Sequence, residues 1–159
     1  MLFRSGGYST PIAVHQNLIA GLGGPEAGTN DEESLKMSKS KPNSAIFVHD
    51  TADEIRAKIK KAYGPPKIVE FNPLLNWVKT LVFWGQEEGV FKISRPERFG
   101  GDVTYETYQQ VEADYQNDRL YPLDLKNGLA EWLIEKLEPA RKHFEGKEEE
   151  IEKMKQLAG

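Results

Sequence analysis

From about residue 50 onward, apolar residues recur with the period of an α-helix. In residues 50–64, Ile55 and Ile59 are four positions apart and the charged residues take the other face. Thr51 stands three positions before Glu54, which is the spacing of a capping box, and Gly64 with two prolines ends the pattern. The pattern predicts an amphipathic helix that begins after Thr51.

A second helical pattern follows directly. Asn72 is suited to cap a helix, and Pro73 is suited to its first turn, because proline needs no hydrogen-bond donor there. Gly85 marks the expected end. The broad apolar stripe predicts a core helix, and its members are Leu74, Leu75, Val78, Leu81 and Val82.

The segment from Val90 is typical of a short extended stretch, followed by a turn at Pro96 and Gly100–Gly101. Thr104 is expected to open a third helix, whose apolar side consists of Tyr108, Val111 and Tyr115. A last helix should kink or restart at Pro139, since proline disrupts a helix interior. Its inward residues are predicted to be Leu125, Leu129, Trp132, Leu133 and Leu137.

The first 49 residues follow another pattern. An apolar run from Ile12 to Val14 ends in a glycine-rich stretch, which is typical of a buried strand that leaves its sheet. One strand without parallel neighbours cannot bury both faces. We therefore expect residues 1–49 to be the end of a larger α/β unit, and residues 50–159 to be an all-helical bundle, so that the fold class is mainly α.

Composition limits the possible functions. The 159 residues contain no cysteine and only three histidines without metal-ligand spacing, so no metal site is predicted and a reducing cytoplasm fits. No apolar run is long enough for a membrane span. The net charge of −4 argues against nucleic acid, but basic residues outnumber acidic ones between Lys36 and Lys67.

The stretch "SLKMSKSKPN" contains the sequence KMSKS at residues 36–40. One interpretation is a flexible basic linker. The other is that the motif resembles the signature loop of class I aminoacyl-tRNA synthetases, which closes the ATP site. That resemblance implies catalytic roles for Lys36 and Lys39, which suit the charge that develops on departing pyrophosphate, and ATP contacts for Met37, Ser38 and Ser40.

Residues 8–144 resemble the C-terminal half of tyrosyl-tRNA synthetase in its archaeal and eukaryotic form. The resemblance rests on "GYSTPIAVHQNLIAGL", "ADEIRAKIKKAYGPPKIVEFNPLL", "RPERFGGDVTY" and "YPLDLKNGLAEWLIEKLEPARK". In that family Phe99 corresponds to a ring that stacks on the first anticodon base, and Asp124 to a carboxylate that accepts hydrogen bonds from guanine. The rest of the implied anticodon pocket is Tyr121, Pro122 and Leu123.

The residues alone favour a structural role for both: Phe99 as a core anchor beside a glycine turn, and Asp124 as a first-turn charge that suits the helix dipole. The chain also departs from the family. Lys39 stands where a serine is common, and Tyr121 where a histidine is common, which bears on recognition of the middle anticodon base.

No HIGH-type ATP motif occurs in the sequence, so we expect the chain alone not to form tyrosyl-adenylate. The resemblance implies ATP with Mg²⁺ as cofactor of the full enzyme, none tightly bound in this chain, and as partners the anticodon stem-loop of tyrosine tRNA and a catalytic half. A homodimer is implied for the full-length enzyme. The alternatives are a stand-alone tRNA-binding protein without catalysis, a tryptophanyl-tRNA synthetase fragment and a plain helical scaffold.

Overall fold

The computed structural model describes residues 19–25, 37, 42–84 and 89–158. The helices are α1 (Ala52–Lys61), α2 (Pro73–Trp77), α3 (Tyr108–Gln116), α4 (Pro122–Phe144) and α5 (Glu148–Ala158). Two strands, β1 (Phe91–Ile93) and β2 (Val103–Tyr105), form an antiparallel pair. Short 3-10 turns lie at Pro42–Ser44 and Glu97–Phe99, and a π-helical turn at Val78–Val82 continues α2.

The first predicted helix is confirmed as α1. The Thr51 hydroxyl accepts a hydrogen bond from the Glu54 backbone N–H at 3.2 Å, and the Glu54 carboxylate accepts one from the Thr51 N–H at 2.8 Å. These two bonds satisfy backbone donors that have no partner within the helix. Ile55 and Ile59 are both buried, as their spacing predicts.

Asn72 is confirmed as the cap of α2. Its side-chain oxygen accepts hydrogen bonds from the N–H groups of Leu74 and Leu75. Its side-chain nitrogen donates to the Ile68 carbonyl and to the Tyr115 hydroxyl, so one buried side chain joins α2, the preceding loop and α3. A buried amide with all these partners incurs little desolvation cost.

The prediction of an all-helical region after residue 50 is wrong at one place. Thr104 does not open a helix but lies in β2, where Phe91 pairs with Tyr105 and Lys92 with Thr104. Helix α3 starts at Tyr108, capped by Thr107. The strand forms because Tyr105 is buried against the rest of the core, a non-local gain that overrides the local helical pattern.

Helix α4 is continuous through Pro139, so of the two outcomes predicted there, a kink or a restart, the restart does not occur. Leu125, Leu129 and Leu133 are buried as expected, whereas Trp132 and Leu137 are partly buried at the edge of the core. The helix packs against α1 and against β1.

Residues 19–25 are attached to the helical part of the chain. The Trp77 indole N–H donates to the Ala20 carbonyl at 2.5 Å, and the Ala20 N–H donates to the Asn76 side chain at 3.0 Å. Leu22 is 1% exposed, and its carbonyl accepts from the Tyr63 N–H at 2.8 Å. The predicted strand at residues 12–14 lies outside the described residues, and the boundary after residue 49 stays a prediction.

One apolar core joins these elements. Both strands and helices α1 to α4 contribute side chains to it. Within the described ranges, no helix has the length and apolar character needed to cross a membrane. The core side chains that are least exposed are Leu22, Ile55, Ile59, Leu74, Leu75, Val78, Val82, Phe91, Ile93, Val111, Tyr115, Leu120, Leu125 and Leu129.

Candidate nucleic-acid interface

Phe99 lies on the surface, in the loop between the two strands. It ends a 3-10 turn, and Gly100 and Gly101 follow with left-handed φ angles of 99° and 68°. Phe99 is 52% exposed, and the Arg98 guanidinium lies 4.8 Å from the centroid of its ring. A core anchor would be covered, so this exposure favours the alternative, a ring that is free to stack on a ligand.

Asp102 closes the loop that carries Phe99. One oxygen of its carboxylate accepts from the Ser94 hydroxyl at 2.8 Å and from the Arg95 backbone N–H at 3.0 Å. The hydrogen bond from Ser94, and secondly that from Arg95, lowers the pKa of Asp102, so the carboxylate is ionised at neutral pH. These bonds hold both ends of the loop together.

Asp124 lies in the first turn of α4, where a negative charge suits the helix dipole. Its side chain is 15% exposed, and one carboxylate oxygen lies 3.9 Å from the Arg95 guanidinium. Beside it, Tyr121 occupies the N-cap position without a side-chain capping hydrogen bond and is 50% exposed, Leu123 is 59% exposed, and Pro122 is half-buried. The four residues thus lie together at one end of α4.

Arg95 connects the two parts of this surface. Its Nε donates to the Gly101 carbonyl at 2.6 Å, and its Nη1 donates to the Arg119 carbonyl at 3.1 Å, in the turn before α4. The sequence analysis missed this residue. Its position beside Pro96 in "RPERFGG" was visible, but its partners are distant in sequence and no local signal indicates them.

A second set of polar contacts joins Tyr105, Asp114 and Arg119. The Tyr105 hydroxyl donates to the Asp114 carboxylate at 3.1 Å, and that carboxylate lies 3.8 Å from the Arg119 guanidinium. Burial, together with the charge of Asp114, raises the pKa of Tyr105, so the hydroxyl stays protonated and remains a donor. These contacts fix β2 against the turn that leads into α4.

The KMSKS segment, residues 36–40, is described only at Met37, whose side chain is 39% exposed. The predictions for Lys36, Ser38, Lys39 and Ser40 lie outside the described residues. The chain on either side of the segment is joined where the Leu22 N–H donates to the Ser44 carbonyl at 2.9 Å. Among the described residues, no group of three or more acidic, histidine or cysteine side chains could hold a metal ion.

Much of the basic charge on α1 is paired. Arg56 lies 2.8 Å from Glu131 of α4, and the Lys58 ammonium lies 2.6 Å from the nearly buried carboxylate of Asp50. Lys60 and Lys61 are exposed at the end of the helix. The local excess of positive charge predicted from the sequence is therefore smaller at the surface than a count of residues indicates.

The sequence pattern of the family described as tRNA synthetases class I (W and Y) matches residues 27–138. This chain belongs to the class I tRNA synthetases of the tyrosine and tryptophan type. The matched region contains the KMSKS segment, Phe99 and Asp124.

Individual members of this synthetase family are also similar to the chain. The tyrosine–tRNA ligases of Pyrococcus furiosus and Pyrococcus horikoshii are each 44% identical, over 98% and 92% of this chain and 44% and 41% of their own lengths. The crystal structure of tyrosyl-tRNA synthetase complexed with L-tyrosine from Pyrococcus horikoshii matches with a TM-score of 0.79 at 43% identity, covering 89% of this chain and 40% of that one.

The tyrosyl-tRNA synthetase structure from Aeropyrum pernix matches with a TM-score of 0.73 at 36% identity and covers 99% of this chain and 41% of that one. The chain is therefore tyrosyl-tRNA synthetase-like, of the archaeal type, and spans about two fifths of the length of these relatives. The tryptophan alternative is not favoured, because these relatives are all tyrosine ligases.

Proposed function

We propose that this chain carries the anticodon-reading surface and the KMSKS segment of a tyrosine–tRNA ligase. The anticodon surface consists of Phe99, Asp124 and the residues at the start of α4. Its partner is the anticodon stem-loop of tyrosine tRNA, whose first anticodon base is guanine. A stand-alone tRNA-binding protein is the less favoured alternative, since the relatives are ligases.

The observation that carries the proposal is the exposed Phe99 ring on a loop that Arg95 fastens beside Asp124. A single-stranded base offers a face for stacking and an edge for hydrogen bonds. Phe99 supplies an aromatic face, and Asp124 supplies an acceptor that pairs with the N–H edge of guanine. Exposed Tyr121 provides a second ring near the same helix end.

A binding experiment tests the proposal directly. Fluorescence anisotropy should show that the chain binds a tyrosine-tRNA anticodon stem-loop more tightly than the same loop with adenine at the first anticodon position. We expect a preference of about 5- to 150-fold, because a good carboxylate–base pair contributes about 1–3 kcal/mol of discrimination. Equal affinity for the two loops would refute guanine reading by this surface.

The KMSKS segment supplies the second part of the proposal. Lysines and serine hydroxyls fit a polyphosphate ligand, so Lys36, Ser38, Lys39 and Ser40 are the residues that would hold ATP, with Met37 against its base. ATP with Mg²⁺ provides the activated phosphate when bound. The lysines lower the cost of charge that develops in the transition state. A cytoplasmic location and a homodimer of the full enzyme stay predictions.

The 159-residue chain is expected to show no ATP–pyrophosphate exchange with tyrosine. Lysines on one segment stabilise departing pyrophosphate, but they do not bind and orient the amino acid, and orientation is a large part of the rate. The exchange assay should include a full-length tyrosyl-tRNA synthetase as the positive control. Tyrosine-dependent exchange above background by the purified chain would contradict this expectation.

A further inference from the structure

We propose that Arg95 is the positioning residue of the anticodon surface: it holds the Asp124 carboxylate and the Phe99 loop in a fixed relation and thereby sets the preference for guanine. The inference rests on the proposed function, because it assigns a cause to the specificity of that same surface. Arg95 itself is not proposed to touch the RNA.

The guanidinium joins three segments of the chain. It binds the carbonyl of Gly101 in its own loop, the carbonyl of Arg119 in the turn before α4, and lies near the carboxylate of Asp124 in α4. Its side chain is 12% exposed. In such a partly dry environment, charge-assisted hydrogen bonds hold their geometry better than they do in water.

The contact with Asp124 leaves the carboxylate available. At 3.9 Å the two groups attract each other, but the distance is too long for a hydrogen bond. Within the described residues, no donor hydrogen-bonds to the Asp124 carboxylate. An ionised carboxylate has about four acceptor positions, so those that guanine needs are open while the charge and direction of the group are set by Arg95.

The loop is built around the guanidinium. A side chain at Gly100 would place its Cβ 3.1 Å from Arg95 Nη2, and the left-handed φ of 99° also favours glycine there. Arginine is suited to this task because its planar group donates in several fixed directions. A lysine ammonium in its place reaches one carbonyl but does not span the distance to the second.

The inference is tested by the ratio of the affinities for the guanine and adenine stem-loops, measured by anisotropy with the full chain. Arg95→Met is expected to lower this ratio by about tenfold, and Arg95→Lys by at least about threefold, since charge without the planar fork restores only part of the geometry. Lys92→Met, at an exposed strand position, removes one charge as a control and should leave the ratio unchanged.

A double-mutant cycle separates positioning from general destabilisation. Added to Asp124→Asn, Arg95→Met should change the ratio by less than about twofold, because a residue that acts through Asp124 has nothing left to position. If Arg95→Met does not fold, as judged by its melting curve, Arg95→Lys takes its place in the cycle.

The two proposals fail differently. If the unmodified chain shows no preference for guanine, the proposed function fails. If the unmodified chain prefers guanine and Asp124→Asn abolishes that preference, but Arg95→Met and Arg95→Lys keep the full ratio, the positioning role of Arg95 is overturned alone. Equal losses from Arg95→Met with and without Asp124→Asn would also overturn it.

Discussion

Asp124→Asn is expected to abolish most of the preference for guanine over adenine at the first anticodon position, by about 10- to 100-fold. An ionised carboxylate accepts two hydrogen bonds from the N–H edge of guanine. The asparagine amide replaces one acceptor with a donor, which opposes one of those groups. Because asparagine has nearly the same size and shape as aspartate, the substitution keeps the packing of this side chain in the first turn of α4.

Anisotropy titrations of both stem-loops measure the effect. Glu135→Gln makes the same chemical change at an exposed position of α4 and should leave the ratio of affinities unchanged. Phe99→Ala gives a contrasting pattern, a loss of about 1–3 kcal/mol with either loop, since stacking does not depend on the base. If Asp124→Asn weakens both loops equally, the carboxylate does not read the base.

Local signals in the sequence predicted most of the helices. The pairing of Thr51 with Glu54 and the order Asn72–Pro73 are start signals whose physical basis lies within four residues, and both are found in the structure. Periodic apolar residues likewise indicated the buried faces of α1 and α4. These features are predictable because a helix satisfies its backbone locally.

Strand β2 and the start of α3 were not predicted correctly, for the opposite reason. Thr104 and Tyr105 form a strand only because β1 pairs with them, and that pairing is not encoded near Thr104. A local signal was present for α3, since Thr107 and Gln110 form a capping box three residues later than the predicted start. Thr104 and Thr107 both suit a helix start, and the local pattern around them does not show that strand pairing takes the first.

The anticodon surface likewise combines features that local sequence signals indicate with features that depend on the fold. Phe99 and Asp124 were proposed from motifs, yet their exposure and their common attachment to Arg95 could not be read from the sequence. Arg95 acts through the carbonyls of Gly101 and Arg119, and backbone acceptors leave no trace in the identity of a residue. Such positioning residues become visible only once the chain is folded.

Trp77→Ala is expected to lower the free energy of unfolding by about 3–5 kcal/mol, the usual cost of deleting a large buried aromatic side chain. Trp77 is 3% exposed and also donates its indole N–H to the Ala20 carbonyl. Trp77→Phe removes that donor together with part of the buried ring system. It should cost about 1–3 kcal/mol, because the nearly buried Ala20 carbonyl then loses its indole partner.

Urea unfolding followed by circular dichroism measures both losses. Trp132→Phe is the matched control, since Trp132 is only partly buried and no described residue accepts a hydrogen bond from its indole. Amide hydrogen exchange at Leu22 gives the local readout: its N–H, bound to the Ser44 carbonyl, should exchange faster in Trp77→Phe. Unchanged stability and exchange in Trp77→Phe would refute the anchoring role of the indole.

The hydrogen bond from Trp77 also affects the chain on either side of the KMSKS segment. Residues 19–25 and 42–50 flank the KMSKS segment on either side, and the bond between Leu22 and Ser44 brings these flanks together. Trp77 fixes the first flank to the helical part of the chain, which also carries Asp124. Faster exchange at Leu22 in Trp77→Phe would therefore show that the Trp77 indole sets how firmly residues 19–25 are held against the helices.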